Sequence, residues 1–283
     1  MQKILALGSG TMGNGIAQVC ALSGFDVVLV DISEEILDRA LSTIQFSLAR
    51  MVKSGKLQAE AMPQVMARIK PSSDLRAVAE QADLVIEAVP ERLDLKRNIF
   101  AELDSVCRPD AILASNTSEL SITSIASATK RPERVIGMHW FNPPPVMRLI
   151  EIVRGLLTSD EVARKIEEIS HMLGKETVMC KDSQGFIVTR ALIAFEYECM
   201  RILEEGVASR EDIDKALKLG LNHPMGPFEL ADYTGLDIHF HAGEGLLGTF
   251  GERFRPPQLL RQMVEAGLLG RKFGKGFYDY NKE

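Results

Sequence analysis

Through the first two thirds of the chain, short apolar or β-branched runs alternate with longer stretches in which apolar residues recur every three or four positions. That alternation is the mark of parallel strands joined by crossover helices. It predicts strands at 3–7, 26–30, 84–87, 112–115, 135–139, 148–153 and 177–179, and helices at 12–23, 34–53, 60–68, 93–106 and 160–172. Past about Asp182 the strand signals nearly stop. A long helix over 187–205 is indicated by an apolar stripe at Val188, Ala191, Leu192, Phe195, Cys199, Ile202 and Leu203, with Gly206 placed to close it. A second helix over 211–219 and several shorter ones follow, punctuated by Asn222-His223-Pro224-Met225-Gly226-Pro227. The expected fold class is α/β: a mostly parallel sheet domain over 1–184, then a smaller all-α domain over 185–283. No repeat of 20 to 50 residues is visible, which excludes solenoids.

Composition narrows the class. The 283 residues are 46% hydrophobic and 25% charged, ordinary for a globular protein and far from disorder or fibre. No apolar run approaches the roughly 20 residues that span a bilayer, and residues 1–8 read into a strand instead of a signal peptide, so a cytoplasmic protein without membrane contact is expected. Thirty-three basic against 39 acidic residues give a net charge of −6, which argues against nucleic acid as a partner. The four cysteines are far apart with no C-x-x-C spacing, so neither a disulfide framework nor a metal site is indicated.

The first chemistry-bearing motif is Gly8-Ser9-Gly10-Thr11-Met12-Gly13, a G-x-G-x-x-G between the first strand and the first helix. Alone it is weak, but here an acidic residue, Asp31, ends the next strand 18 positions beyond Gly13. This is the context of a Rossmann-type dinucleotide site. Gly8 permits the tight turn, Gly10 lets a pyrophosphate approach the backbone, Gly13 lets the helix pack on the strand, and Asp31 would accept from ribose hydroxyls and repel a 2′-phosphate. NAD is therefore the expected cofactor.

A strand, a proline corner and a second strand follow in the segment from Val135 to Glu151. His139 and Glu151 are equidistant from Pro145, so antiparallel strands would bring them face to face and let the carboxylate orient the imidazole. On spacing alone, a His and a Glu twelve apart are more often unrelated. Ser115-Asn116-Thr117-Ser118 stands just past a strand's carboxyl end, where ligands gather in open α/β sheets; the plain alternative is a cap for a helical segment starting at Leu120.

With these residues the chain resembles the L-3-hydroxyacyl-CoA dehydrogenase family, and within it the short, single-function bacterial 3-hydroxybutyryl-CoA dehydrogenases. The resemblance spans essentially the whole sequence: G-S-G-T-M-G with Asp31, the run from Val85 to Lys96, S-N-T-S, G-M-H-W-F-N-P, N-H-P-M-G-P, and G-R-K-F-G-K-G-F-Y from Gly270 to Tyr278. It implies a His139–Glu151 catalytic pair, Ser118 touching substrate and cofactor, and Glu91, Lys96, Asn142 and Lys275 at the cofactor site. It also implies an acyl-CoA substrate and a homodimer formed through the C-terminal domain, which the wide apolar stripe of the long helix favours as well. Near the family's CoA contacts stand Ser47, Arg50, Lys53 and Lys56, whose alternative reading is a solvated helix end. For Glu91 and Lys96 the alternative is a salt-linked surface pair near a helix start. One position departs from the family pattern P-G-F-[IV]-V-N-R: Thr189 stands where the active-site Asn is expected, offering one short hydroxyl in place of an amide. The reaction implied is reversible oxidation of a short (S)-3-hydroxyacyl-CoA by NAD. A catalytically weak NAD- or acyl-CoA-binding relative, or a dehydrogenase of a free hydroxy acid, are the alternatives.

Overall fold

The alternating pattern folds into one eight-stranded sheet in the computed structural model, which describes residues 3–281. Two compact units are present, the first ending at Ser183 and the second beginning at Gln184. In the first, chain order is β1 (Lys3–Leu7), α1 (Thr11–Leu22), β2 (Asp26–Val30), α2 (Glu34–Lys53), α3 (Ala61–Ala67), β3 (Ile69–Ser72), α4 (Leu75–Ala79), β4 (Leu84–Glu87), α5 (Leu93–Val106), β5 (Ile112–Ser115), α6 (Ile122–Ala126), β6 (Val135–Trp140), β7 (Leu149–Arg154), α7 (Asp160–Met172) and β8 (Glu176–Lys181). The sheet order is β3-β2-β1-β4-β5-β6-β7-β8. Every pairing is parallel except that of β6 with β7.

The central strands are buried on both faces, which is why they read as unbroken apolar runs instead of alternating ones. Ile4, Leu29, Leu84 and Trp140 from the sheet pack with Ile16 of α1 and Ile44 of α2 in one core. Strand order reverses direction beside β1, with β2 on one side and β4 on the other, and that creates the crevice at the carboxyl ends where open α/β sheets bind ligands.

Two elements go beyond the sequence expectation. The edge strand β3 reads Ile-Lys-Pro-Ser and pairs only with β2, so Pro71 is tolerated there while blurring the strand signal. The helix α4 has five residues, too few to show a period.

The second unit is helical: α8 (Val188–Glu204), α9 (Arg210–Leu221), α10 (Pro227–Thr234), α11 (Leu236–Phe250) and α12 (Gln258–Glu265). The stripe that signals the long helix is only partly covered within the unit, with Phe195, Ile202 and Leu203 packed at the edge of its core. Of its seven positions only Cys199 is buried, whereas the helix buries Ile193, Glu196, Tyr197 and Met200 against Phe228, Leu236, Leu246 and Leu260. Polar side chains can face the core because α11 receives them: Tyr197 donates to the His239 carbonyl at 2.9 Å, and Glu196 meets His239 Nδ1. Gly206, at φ +69°, ends the helix as expected. The C-terminal segment is fastened to α10 by buried Asp232, which accepts from the Phe277 and Tyr278 amides at 2.8 and 2.9 Å. Among the described residues, no helix is long and apolar enough to cross a membrane.

Candidate active site

The glycine turn opens directly from β1. Gly8 has φ +89°, and a Cβ there would lie 2.7 Å from the Ala88 carbonyl oxygen. At Gly13 a Cβ would fall 1.6 Å from the Gly8 carbonyl, so α1 can approach the turn only without a side chain. Gly10 differs: its Cβ position has nothing within 4 Å. The side facing away from the protein is open there, while Thr11 is exposed and Met12 half-buried in the helix's first turn. That turn carries no acidic residue and no side-chain cap, leaving its amides for an anion. At the end of β2, Asp31 Oδ2 accepts from the Ser9 amide at 2.6 Å and the Ser9 hydroxyl at 2.8 Å, and Oδ1 from the Ile32 amide at 2.7 Å. Three of its roughly four acceptor positions are taken, and one remains for an outside hydroxyl. Open turn, uncapped helix end and anchored carboxylate fit a dinucleotide.

Next along the carboxyl edge lies a network that the sequence did not reveal. Glu87, at the end of β4, is fully buried, and Lys96 of α5 is 1% exposed. Glu87 Oε1 accepts from Lys96 Nζ at 2.6 Å and the Val89 amide at 2.7 Å, and Oε2 from the Ser115 hydroxyl at 2.6 Å. Lys96 also donates to the Val89 carbonyl at 3.2 Å and reaches Glu91 Oε2 at 3.2 Å. Glu91 Oε1 in turn takes the Thr117 hydroxyl and, at 3.0 Å, the Ser118 amide. Lys96 is thus salt-linked as one alternative had it, but it is no surface residue. Its protons are spent inside the protein, and it holds Glu91 beside Ser118.

The loop carrying Ser118 is clamped at both ends. The Asn116 amide donates to the Glu87 carbonyl at 2.7 Å, and Asn116 Oδ1 accepts from the Trp140 amide at 2.9 Å. Asp182 accepts from the Ser121 hydroxyl at 2.8 Å and the Ile122 and Thr123 amides at 3.1 and 2.8 Å, which starts α6 two residues later than Leu120. The half-buried Ser118 is therefore fixed one strand away from His139.

His139 and Glu151 are direct partners in the β6–β7 register. Nδ1 of the imidazole lies 2.7 Å from Glu151 Oε2, with the histidine 5% exposed and the glutamate fully buried. Phe141 packs against the imidazole at 4.4 Å between ring centroids. Beyond Trp140 the chain turns through exposed Asn142, whose bond to Pro143 is cis. Two contacts hold this corner. Pro144 sits where a Cβ on Gly15 of α1 would come within 2.9 Å, and the buried Lys175 ammonium donates to the Pro144 and Met147 carbonyls at 2.6 and 2.7 Å. Burial pushes the Lys175 ammonium below its ordinary range. Nearby, on β8, burial above all, with Glu151 and Asp182, pushes the Cys180 thiol up to about 11, which disfavours its thiolate.

One edge of the sheet thus brings together Gly8, Ser9, Gly10, Thr11, Met12, Gly13, Asp31, Glu91, Lys96, Ser118, His139, Asn142 and Glu151. Ser47 is half-buried on α2, with Arg50, Lys53 and Lys56 exposed at its carboxyl end and in no ion pair among the described residues. Phe46, 66% exposed, stands beside them. Thr189 and Lys275 belong to the second unit. Thr189 is half-buried in the first turn of α8, entered through Gly185 and Phe186, both at positive φ. Lys275 is exposed in a tight segment where its carbonyl accepts from the Gly270 amide at 2.9 Å. Sequence reasoning missed Glu87, Lys175 and Asp182 as supports, and named Asn116 only within the Ser115–Ser118 run; of the three missed, the position of Glu87 at a strand's carboxyl end offered a signal. Among the described residues, no cluster of three or more His, Cys, Asp or Glu could hold a metal ion.

The chain is similar to known proteins along its whole length. The sequence model of the NAD binding domain of 3-hydroxyacyl-CoA dehydrogenase matches residues 3–183, and that of its C-terminal domain matches residues 185–280. The 3-hydroxybutyryl-CoA dehydrogenase of Bradyrhizobium diazoefficiens is 46% identical over 281 residues, 99% of this chain and 96% of that protein. The 3-hydroxyadipyl-CoA dehydrogenase of Escherichia coli is 45% identical over 285 residues, all of this chain but 60% of the longer protein. Among solved structures, the (S)-3-hydroxybutyryl-CoA dehydrogenase of Ralstonia eutropha matches with a TM-score of 0.95 at 45% identity, over 99% of each chain.

Proposed function

Because the chain belongs to the 3-hydroxyacyl-CoA dehydrogenase family, we propose that it catalyses (S)-3-hydroxyacyl-CoA + NAD⁺ ⇌ 3-oxoacyl-CoA + NADH + H⁺, with the four-carbon 3-hydroxybutyryl and acetoacetyl esters as its substrates. The observation that carries this reading is the buried 2.7 Å contact of His139 with Glu151 on the same sheet edge as the glycine turn. His139 takes the hydroxyl proton of the alcohol, and Glu151, held on the other ring nitrogen, fixes the tautomer and stabilises the cation that forms. In the reverse direction the same imidazole returns that proton to the ketone oxygen. Ser118 donates to the reacting oxygen and keeps it in line. When bound, NAD⁺ supplies the hydride acceptor.

The glycine turn and the first-turn amides of α1 hold the pyrophosphate, and Asp31 the adenosine ribose. Glu91, held by Lys96, and Asn142 complete the cofactor site on the first unit; the family resemblance adds Lys275 of the second unit as a further cofactor contact. Ser47, Arg50 and Lys53, with Lys56, offer uncompensated positive charge to the phosphates of CoA. Thr189 stands at the position of the substrate-contacting amide. The protein acts in the cytoplasm as a homodimer built on the second unit, where the half-buried stripe of α8 gives the dimer an apolar surface to bury.

The deciding experiment follows NADH absorbance with acetoacetyl-CoA, free acetoacetate and a series of longer or ω-carboxylated 3-oxoacyl esters. Fastest turnover on acetoacetyl-CoA is expected. Equal rates with free acetoacetate would overturn the CoA requirement, and preference for a ω-carboxylated ester would overturn the four-carbon assignment. Light scattering should give twice the 31.3 kDa chain mass, and a monomer at micromolar concentration would refute the dimer.

A further inference from the structure

Leu7, Glu87, Ser115 and Gly137 stand in register across the carboxyl edge of β1, β4, β5 and β6. The glycine turn opens from the first of these strands, and His139 lies two residues past Gly137 on the last. Strands in a sheet are spaced by about 4.8 Å. A dinucleotide with its pyrophosphate at the turn and its reactive ring beside a substrate at His139 therefore passes over β4 and β5. Under that path lie three charges. Glu87 and Lys96 are buried and joined at 2.6 Å, while the Glu91 side chain, 3.2 Å from Lys96, keeps 30% of its surface exposed. The Val89 amide, the Lys96 ammonium and the Ser115 hydroxyl all donate to Glu87, the pattern of an ionised carboxylate. Two carboxylates and one ammonium leave a formal charge of minus one, and the exposed member is the acid.

We propose that Glu87 is a positioning residue that sets the redox-form preference of the cofactor site: by sharing Lys96 with Glu91, it leaves the cluster one net negative charge, presented by the partly exposed Glu91 toward a nicotinamide ring that is cationic in NAD⁺ and neutral in NADH. The inference rests on the NAD reading above. Contacts to the pyrophosphate, riboses and adenine are common to both forms, so they do not separate them. Ring charge does. At an effective dielectric near 20, one unit charge within about 12 Å of the ring favours the oxidised form roughly tenfold. The site would accordingly hold NAD⁺ tighter, and release NADH more readily, than an uncharged cluster.

The test is the ratio of dissociation constants for NAD⁺ and NADH, measured by calorimetry on the full chain. Glu87→Gln keeps the shape and brings the cluster to zero charge; the ratio of the NAD⁺ to the NADH constant should rise about tenfold. Glu87→Gln with Lys96→Met restores minus one, and the ratio should return to the wild-type value even if both affinities fall. Lys96→Met alone makes the cluster more negative and should move the ratio about tenfold the other way, which keeps the test open should Glu87→Gln not fold. A merely structural role weakens both forms equally, so an unmoved ratio in the single variants would overturn the inference while leaving the cofactor assignment intact. Failure of the wild-type protein to bind NAD⁺ would overturn both.

Discussion

Replacing Glu151 by Gln removes a charge from the candidate catalytic pair while preserving its shape. The amide oxygen can still accept from Nδ1 of His139, in a position fully buried and 2.7 Å away. What disappears is the negative charge that faces the imidazole as it becomes a cation on taking the substrate proton. Charge centres about 4 Å apart interact by about 4 kcal/mol at an effective dielectric of 20, and the dipole of the neutral amide recovers part of this. A remaining loss of roughly 3 kcal/mol corresponds to on the order of 10²-fold in kcat. Because the interaction is made only as the cation develops during oxidation of the alcohol, kcat and kcat/KM for 3-hydroxybutyryl-CoA should fall together. NAD⁺ affinity, set at the glycine turn, should change by less than about threefold. The assay is NADH absorbance under saturating cofactor, with calorimetric NAD⁺ binding and a melting curve on the same preparation. A kcat within about threefold of wild type would refute the role given to the pair, and so would a loss matched by an equal loss of NAD⁺ affinity, since the carboxylate would then be supporting the fold.

Other perturbations separate fold from site. Gly10→Ala meets no atom within 4 Å and should leave the melting temperature unchanged while weakening NAD⁺ binding by about tenfold or more, whereas Gly13→Ala, with its Cβ 1.6 Å from the Gly8 carbonyl, should destabilise by about 3 kcal/mol or fail to fold; equal melting temperatures for the two would refute this division. Asp31 should make NAD better than NADP by at least about tenfold in kcat/KM, and equal use of both would remove Asp31 from the ribose site. Thr189→Asn should raise turnover on acetoacetyl-CoA by up to roughly 10²-fold with a smaller change in KM; an unchanged or lower kcat would mean that the threonine already supplies the contact. Burial pushes the Glu196 carboxyl above its usual 4.5, with His239 pulling the other way, so the folded chain holds that proton more tightly than the unfolded one. Its contribution is complete below that usual value and lost as pH rises through the folded one. The melting-temperature difference of Glu196→Gln over wild type should therefore grow as pH rises above about 5, and a constant difference would contradict the assignment.

What could be read from the chain was whatever obeys a local rule. The glycine turn is legible because each glycine answers a separate steric demand within six residues, and Asp31 because a βαβ unit fixes how far away the next strand must end. His139 and Glu151 were legible because a proline corner lies midway between them, so the fold of one hairpin decides whether they meet. Glu87 and Lys96 obey no such rule. They are nine residues apart on a strand and a helix, and their contact exists only because α5 packs its lysine under the sheet edge, where neither charge would be placed by composition.

The long helix shows the converse failure. Hydrophobic periodicity assumes that the buried face is the apolar one, and α8 violates this with Glu196 and Tyr197 turned inward. Both are tolerated because α11 brings His239 against them, its side chain to Glu196 and its carbonyl to the Tyr197 hydroxyl. A buried Glu196 without that histidine would be uncompensated, so the two residues are meaningful only together. The stripe of Val188, Ala191, Leu192, Phe195, Ile202 and Leu203, left only partly covered within the unit, is then apolar for a different reason than the core. In the dimer proposed above, Phe195→Glu should lower the association state; Phe195 is partly buried, packed on the outside of the core that Ile193 and Met200 fill, so a melting curve on the same variant separates loss of association from loss of fold. A dimer unaffected by Phe195→Glu would place the interface elsewhere.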